Sequence, residues 1–428
     1  MNVIEARKAS IRSVLAEYPR HFWYLMGASF IDALGGALLF PFFALYVTAK
    51  FGLGMSQAGG MFGILTITSV VGTTLGGGLA DRYGRKFMVL FGLILSALSM
   101  LVMGFAERLS VFILGMLIVG LLANAGGPAR QAMVADLLPE EKRAGGFGMH
   151  RVIHNLAYVI GPALGGLLAS RSYQLLFVID VIASLTTAFA IYLLLPETKP
   201  AANDDMPVET TAETFRGYRK VFQNGVFIAF LIATSLMVLV YTQMQGTLSV
   251  FLRDAHGLGE VRFGTILSLN AAMVVLFQFA ITRRIERYPH FMVLAVGTLF
   301  YVIGFGMYGF VSGYAWFMIA MAIITIGEML TAPVGSAIAA GMAPEQMRGR
   351  YMAFYGFSWM IPGAVGMFLA GLIIDFGDPR WVWYAAAIVG IVAAVAFYML
   401  HLHQGQANRE GQMQGHTTPE PAVPEVST

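Results

Sequence analysis

The chain has no cysteine, which removes disulfides, thiolate nucleophiles and cysteine-ligated metals and leaves the redox compartment open. It is also poor in charge. Asp, Glu, Lys and Arg make up 12% of the residues, against about 25% in a water-soluble domain. There is no paired-histidine metal pattern, no G-x-S-x-G elbow and no G-x-x-x-x-G-K-[ST] phosphate loop, so no metal, no cofactor and no enzymatic activity are expected. The same absence disfavours an ATP-driven pump, although a separate ATPase subunit stays open. The first apolar stretch is long and follows a charged segment, so it is expected to remain as an anchor and not as a cleaved signal. A net charge of +3 gives no basic face for nucleic acid.

What is abundant is apolar. Of 428 residues, 57% are hydrophobic, and the mean hydropathy is +0.70, which defines an integral membrane protein. Runs long enough to cross about 30 Å of hydrocarbon fall near 22–47, 56–80, 87–106, 110–135, 147–170, 173–195, 222–250, 261–282, 291–312, 314–341, 352–374 and 381–402. The expected fold is therefore all-α with twelve transmembrane helices. The expected order is a cytoplasmic segment 1–21, a six-helix bundle 22–195, a cytoplasmic linker 196–218 rich in acidic residues, a second bundle 219–402 and a disordered tail 403–428. Nineteen Lys and Arg fall on the loops of the side that holds both termini and six on the other, with Arg130 and Arg151 inside spans, which accounts for all 27. By the positive-inside rule both termini are cytoplasmic, in the inner membrane if the source is bacterial.

The sequence repeats. A shift of 205 residues lays Asp81-Arg82-Tyr83 on Glu286-Arg287-Tyr288, Pro128 on Pro333, Pro139-Glu140 on Pro344-Glu345, Arg143 on Arg348, Gly161 on Gly366 and Gly166 on Gly371. Six spans per copy is an even number, so both copies enter from one face and are related by an axis along the membrane normal. Two like halves with a site between them suit a carrier that exposes that site to each side in turn.

Between the second and third spans lies Gly77-Gly78-Leu79-Ala80-Asp81-Arg82-Tyr83-Gly84-Arg85-Lys86, expected as a tight connection with its charges at the membrane surface. It resembles the G-x-L-A-D-R-x-G-R-K signature of the major facilitator superfamily. In the fifth span, Gly161-Pro162-Ala163-Leu164-Gly165-Gly166 resembles the G-P-x-x-G-G motif of that family's twelve-helix drug:proton antiporters. There proline is expected to bend the helix and glycine to allow close packing. Ala157 stands where the longer motif has glycine. Pro196-Glu197-Thr198-Lys199 looks like the family's exit from the first half. In the fourth span, Met116 holds the place of the antiporter arginine if Gly120 is the motif's glycine. The resemblance implies two rocking six-helix bundles, with Asp81, Arg82, Arg85 and Lys86 forming a cytoplasmic latch that Gly77 and Gly84 allow to turn. Asp81 is expected to face a helix N-terminus, Arg143 or Arg348.

Ionisable groups at membrane depth cost about 3 kcal/mol on insertion scales, so each needs a reason. Asp32 sits ten residues into the first span, ahead of Gly35, Gly36 and Pro41, and Glu328 lies mid-span in Ile326–Pro333. Both are candidates for proton or substrate binding, and the resemblance implies the same for Glu328. His150 and His154 share one helical face beside Arg151, and serve either as a proton relay or as contacts to lipid headgroups. Arg130 can pair with Asp136 or with an anionic substrate. Asp180 is expected to be structural. Tyr241, Gln243, Met244, Gln245, Tyr355, Phe357, Trp359 and Met360 suit a cavity that accepts varied amphipathic molecules, or else lipid-facing packing.

These readings lead to a proton-coupled exporter of small amphipathic compounds or drugs, acting as a monomer among membrane lipids. A carrier of the same fold for a lipid, sugar or metabolite, not necessarily proton-coupled, is the near alternative. A channel, a receptor or a membrane enzyme is the alternative of another class.

Overall fold

A computed structural model describes residues 17–198, 221–344 and 347–415. Among the described residues, twelve helices are long and apolar enough to cross a membrane. The first six are α1 Arg20–Phe51, α2 Met55–Tyr83, α3 Arg85–Phe105, α4 Leu109–Asp136, α5 Glu140–Ala169 and α6 Tyr173–Leu194. The second six are α7 Gly225–Met244, α8 Glu260–Ile285, α9 His290–Phe310, α10 Tyr314–Gly341, α11 Arg348–Phe376 and α12 Trp381–Gly415. A short helix, Thr247–His256, continues α7 outward. Residues 199–220 of the expected linker and 416–428 of the expected tail lie outside the described residues, as do 1–16 of the N-terminal segment. The tail does not begin disordered at 403, because α12 runs on to Gly415 through Gln-, Glu- and Arg-containing sequence that favours helix.

The repeat is visible in the backbone. Helices α1, α3 and α4 begin 205 residues before α7, α9 and α10, and α3 ends 205 before α9. Gly52 and Gly257, one shift apart, both cap a helix in the left-handed region at φ 61°, where glycine pays no Cβ penalty. Within the first bundle α1 packs on α5 and α6, and α3 on α6. In the second, α9 packs on α10 and α12, and α7 on α11 and α12.

The seam between bundles is formed by α5 on α8 and α2 on α11, and its close contacts obey the same shift. Gly166 meets the backbone of Glu260 and Val261 while Gly371 meets that of Met55 and Ser56, and Gly264 meets Pro162 while Gly59 meets Met367. A side chain at any of these positions would hold the helices apart. The G-P-x-x-G-G segment is thus a packing element with two faces. Gly161 and Gly165 lie against Ala37 and Leu38 of α1, and Gly166 and Pro162 against α8.

Three local features depart from expectation. The glycine-rich run 77–83 is helical, so the connection from α2 to α3 is Gly84 alone, at φ 105°. Glu197 accepts from the amides of Arg85 at 2.8 Å and Lys86 at 3.2 Å, satisfying N–H groups that the start of α3 leaves open. Pro196-Glu197-Thr198 is therefore a cap on the Gly84 turn. The side chains of Asp81 and Arg348 lie outside the described residues.

The second departure is α5, which begins at Glu140 and not near 147, because Pro139 starts it and Glu140 and Glu141 suit its first turn. The third is irregular backbone inside spans. Phe40–Phe42 at Pro41 and Thr242–Met244 form 3₁₀ turns, and Val119–Ala123 of α4 forms a π turn.

Candidate functional site

Three adjoining cavities lie at the seam and beside it. The largest, about 770 Å³, is walled by α5, α7, α8, α10 and α11. Glu328 reaches it from α10. Its carboxyl accepts from Tyr241 Oη at 3.0 Å and Asn270 Nδ2 at 2.7 Å, and Asn270 is held in turn by Thr325 at 3.0 Å. Each carboxyl oxygen thus has a neutral donor from another helix, which orients the group without neutralising it.

The second cavity, about 300 Å³, lies inside the first bundle among α1, α3, α4 and α5. Asp32 and Arg130 form an ion pair on its wall. Each side chain is a little over a fifth exposed, so the pair borders the cavity and is not sealed in the core. Arg130 therefore pairs with Asp32 and not with Asp136. Asp136 takes Arg85 at 3.1 Å, since α4 carries the two residues to different depths six positions apart.

The third cavity, about 510 Å³, is lined chiefly by apolar side chains of both bundles, Phe40, Phe62, Met100, Met360 and Met367 among them.

His150 and His154 border the first two cavities, and Gln245 and Trp359 the first and third. Because α5 starts at Glu140, the histidines stand ten and fourteen residues into their helix. They line cavity, with Arg151 beside them on the largest one. Tyr241, Met244, Gln245, Trp359 and Met360 line cavity as their residue types suggested. Tyr355 does not: it is buried with its ring stacked on Phe230 at 5.9 Å. Gln243 turns back onto the Leu239 carbonyl at 2.8 Å, and Phe357 is exposed on the helix surface. Asp180 is buried, with its carboxyl lying over Gly35 of α1.

Lys86 donates to the carbonyls of Tyr192 at 2.8 Å and Leu195 at 2.7 Å, closing the end of α6. Arg143 donates to the Ala135 carbonyl at 3.1 Å. Arg82 lies against the Tyr83 ring at 5.4 Å.

Sequence reading missed Asn270, Asn155, Tyr158 and Asn124. Asn270 carried a signal, an amide in the middle of the apolar span 261–282. Asn124 carried the same signal in the span 110–135, and the structure sets it beside a π turn with its amide on Ser69 at 2.8 Å.

Two six-helix bundles about a pseudo-two-fold, with polar groups of both lining the cavities between them, suit a membrane transporter. The Major Facilitator Superfamily profile matches residues 25–331 and 246–424, and the chain belongs to that superfamily of membrane transporters. Among curated relatives, a Na(+), Li(+), K(+)/H(+) antiporter of Planococcus maritimus is 26% identical over 86% of this chain and 92% of its own. The multidrug resistance protein MdtH of Shigella flexneri is 23% identical over 87% and 92%. Solved structures share the fold. A POT family transporter in complex with 5-aminolevulinic acid has a TM-score of 0.75 at 16% identity over 90% of this chain and 96% of its own. Nucleoside transporter NupG has 0.74 at 16% over 89% and 99%.

Proposed function

We propose that this chain is a proton-coupled antiporter that exports small amphipathic compounds. The observation that carries the reading is Glu328, a carboxyl held by Tyr241 and Asn270 on the wall of a 770 Å³ cavity between the bundles. A carboxyl on hydrogen bonds to neutral donors has no fixed countercharge, so it can take a proton or a cationic cargo in alternation. Asp32 with Arg130 forms a second exchange point across His150 and His154, where a protonated Asp32 would release Arg130. The apolar and methionine-rich cavity beside them suits cargo of varied shape. One proton crossing 100 mV supplies about 2.3 kcal/mol, enough for roughly fifty-fold accumulation.

In this reading the basic face is cytoplasmic, the membrane is the bacterial inner membrane, the protein works as a monomer and the cavities face inward. The relatives named for multidrug resistance and for antiport support both the cargo class and the coupling. The P. maritimus relative also supports a second reading, in which the cargo is a monovalent metal cation.

The test is substrate-driven proton release from reconstituted vesicles, with pulses of an organic cation or of Na⁺, for the native chain, Asp32→Asn and Glu328→Gln. Loss of release in either variant is expected. Native-level release in both would overturn the coupling model, and release driven by Na⁺ alone would select the metal cation as cargo.

A further inference from the structure

The start of α2 lies at the seam, on the face opposite Gly84, and its own N-cap residue cannot serve it. That residue is Gly54, which has no side chain to accept from the first amides. The acceptor comes from the other bundle. Asp375, in the last turn of α11, takes the Met55 amide at 2.7 Å and the Ser56 amide at 2.8 Å, one on each carboxyl oxygen, and its second oxygen also accepts from Ser56 Oγ. A carboxylate on the open N–H groups at the positive end of a helix is one of the stronger polar contacts available to a protein. This one joins residues 320 positions apart. Behind it the helices touch backbone to backbone, Gly371 on Met55 and Ser56 and Gly59 on Met367 and Phe368.

The repeat supplies a control within the molecule. One shift earlier, Asp375 becomes Ser170, and the start of α2 becomes the start of α8 at Glu260. At that joint the acidic residue belongs to the helix start itself and accepts from Tyr173 of α6 at 2.6 Å, so no carboxylate reaches the α8 amides from the facing helix α5. Both joints have the glycine contact, and α2–α11 alone adds an ionic cap across the seam.

We propose that Asp375 is the positioning residue that holds the outer gate shut: its carboxylate caps α2 from α11 while the two bundles touch at this end, and it releases α2 each time the outer side opens. Opening returns the carboxylate and both amides to water. The net bias is therefore modest and the latch is reversible, as a group that acts once per transport cycle must be. The proposal needs neither the cargo nor proton coupling.

A chain without cysteine permits a direct test. Cysteines placed as the pair Arg108→Cys with Ser312→Cys, one on each bundle at the outer face, report opening outside. The pair Glu141→Cys with Glu286→Cys reports closing inside. All four positions are exposed. Spin-label distances are measured in lipid without cargo, at one pH, for Asp375, Asp375→Asn, Asp375→Ala and Asp375→Glu. For Asn and Ala, the outer pair is expected to gain a longer component and the inner pair a shorter one, raising the outward-open to inward-open ratio about ten-fold or more. Asp375→Glu restores part of the native distribution.

Unchanged distance distributions in Asp375→Asn, with a native melting temperature, would overturn the proposal. So would an equal shift from Ser170→Ala, the position one repeat earlier. If Asp375→Ala fails to fold, the isosteric Asn variant decides alone. The distances are read in the absence of gradient and substrate, so failure here leaves the antiport reading intact, and failure of antiport leaves this one intact.

Discussion

The two bundles share a scaffold but not a chemistry. Helix starts, the left-handed glycines at 52 and 257 and the seam contacts of Gly166 and Gly371 all recur one repeat apart. The polar residues of the site do not. Asp32 and Arg130 correspond to Met237 and Gly335, while Glu328 and Tyr241 correspond to Ala123 and Gly36. The first bundle holds its acid with a cation, and the second holds its acid with a phenol and an amide. Packing contacts are answered by the facing bundle and so persist together. Groups that face a cavity answer only to what enters it, and each bundle could change them alone.

The comparison is tested most severely at the ion pair. Arg130→Met leaves Asp32 as an uncompensated charge and is expected to cost about 1–3 kcal/mol, below the range for a fully buried pair because this one borders a cavity. Asp32→Asn with Arg130→Met is expected to recover most of that, read as melting temperatures in detergent. A double variant no more stable than the single would show that Arg130 serves the fold through contacts other than Asp32.

A smaller effect is expected in the second bundle. Tyr241→Phe removes one neutral donor from Glu328, worth about 1 kcal/mol, so proton-coupled flux should change by roughly five-fold while the melting temperature moves little. If it fell as far as for Arg130→Met, the contrast between charge-paired and hydrogen-bonded acids would fail.

The smallest effect belongs to the outer extension of α7. His256 lies between the rings of Phe251 at 4.9 Å and Phe317 at 4.8 Å, and burial, with Arg380 nearby, holds its imidazole below the usual pKa. The unfolded chain takes up a proton near pH 6.5 that the folded chain resists. This residue's contribution is therefore intact above that pH and declines as pH falls below it. His256→Phe should flatten the acid limb of a melting-temperature profile between pH 7 and 5. An unchanged profile would show that the imidazole does not titrate in that window. Phe51 occupies the matching place in the first bundle, already apolar.

Span number, the position of the repeat and the packing role of the fifth span were legible because hydrophobic length and glycine spacing are local properties. That two acids sit within apolar helices was legible too, but not that Glu328 borders a cavity at the seam while Asp32 borders one inside the first bundle. The partner of Arg130 was not legible. Asp136 is nearer in sequence, and only the cavity that α1 and α4 both line brings Asp32 to it instead. The distance of His150 and His154 from the start of their helix was not legible for a related reason. A hydropathy run starts where charge ends, whereas a helix starts where its cap does, and Pro139 with Glu140 placed that cap two turns earlier. Tyr355 was assigned to the cavity by residue type, which says nothing about the direction in which a ring leaves its helix.

The single-residue joint at Gly84 carries one more consequence. Helix α2 lies on the seam against α11, and α3, which follows without any slack in the chain, supplies Val89, Gly92, Leu93 and Ser96 to the wall around Asp32 and Arg130. Glu197 clamps that joint to the end of α6. The pair is jointed like a stiff crank, so a displacement of α2 at the interface is one that its far arm, and with it the wall of the chamber holding the carboxylate and guanidinium, has to share.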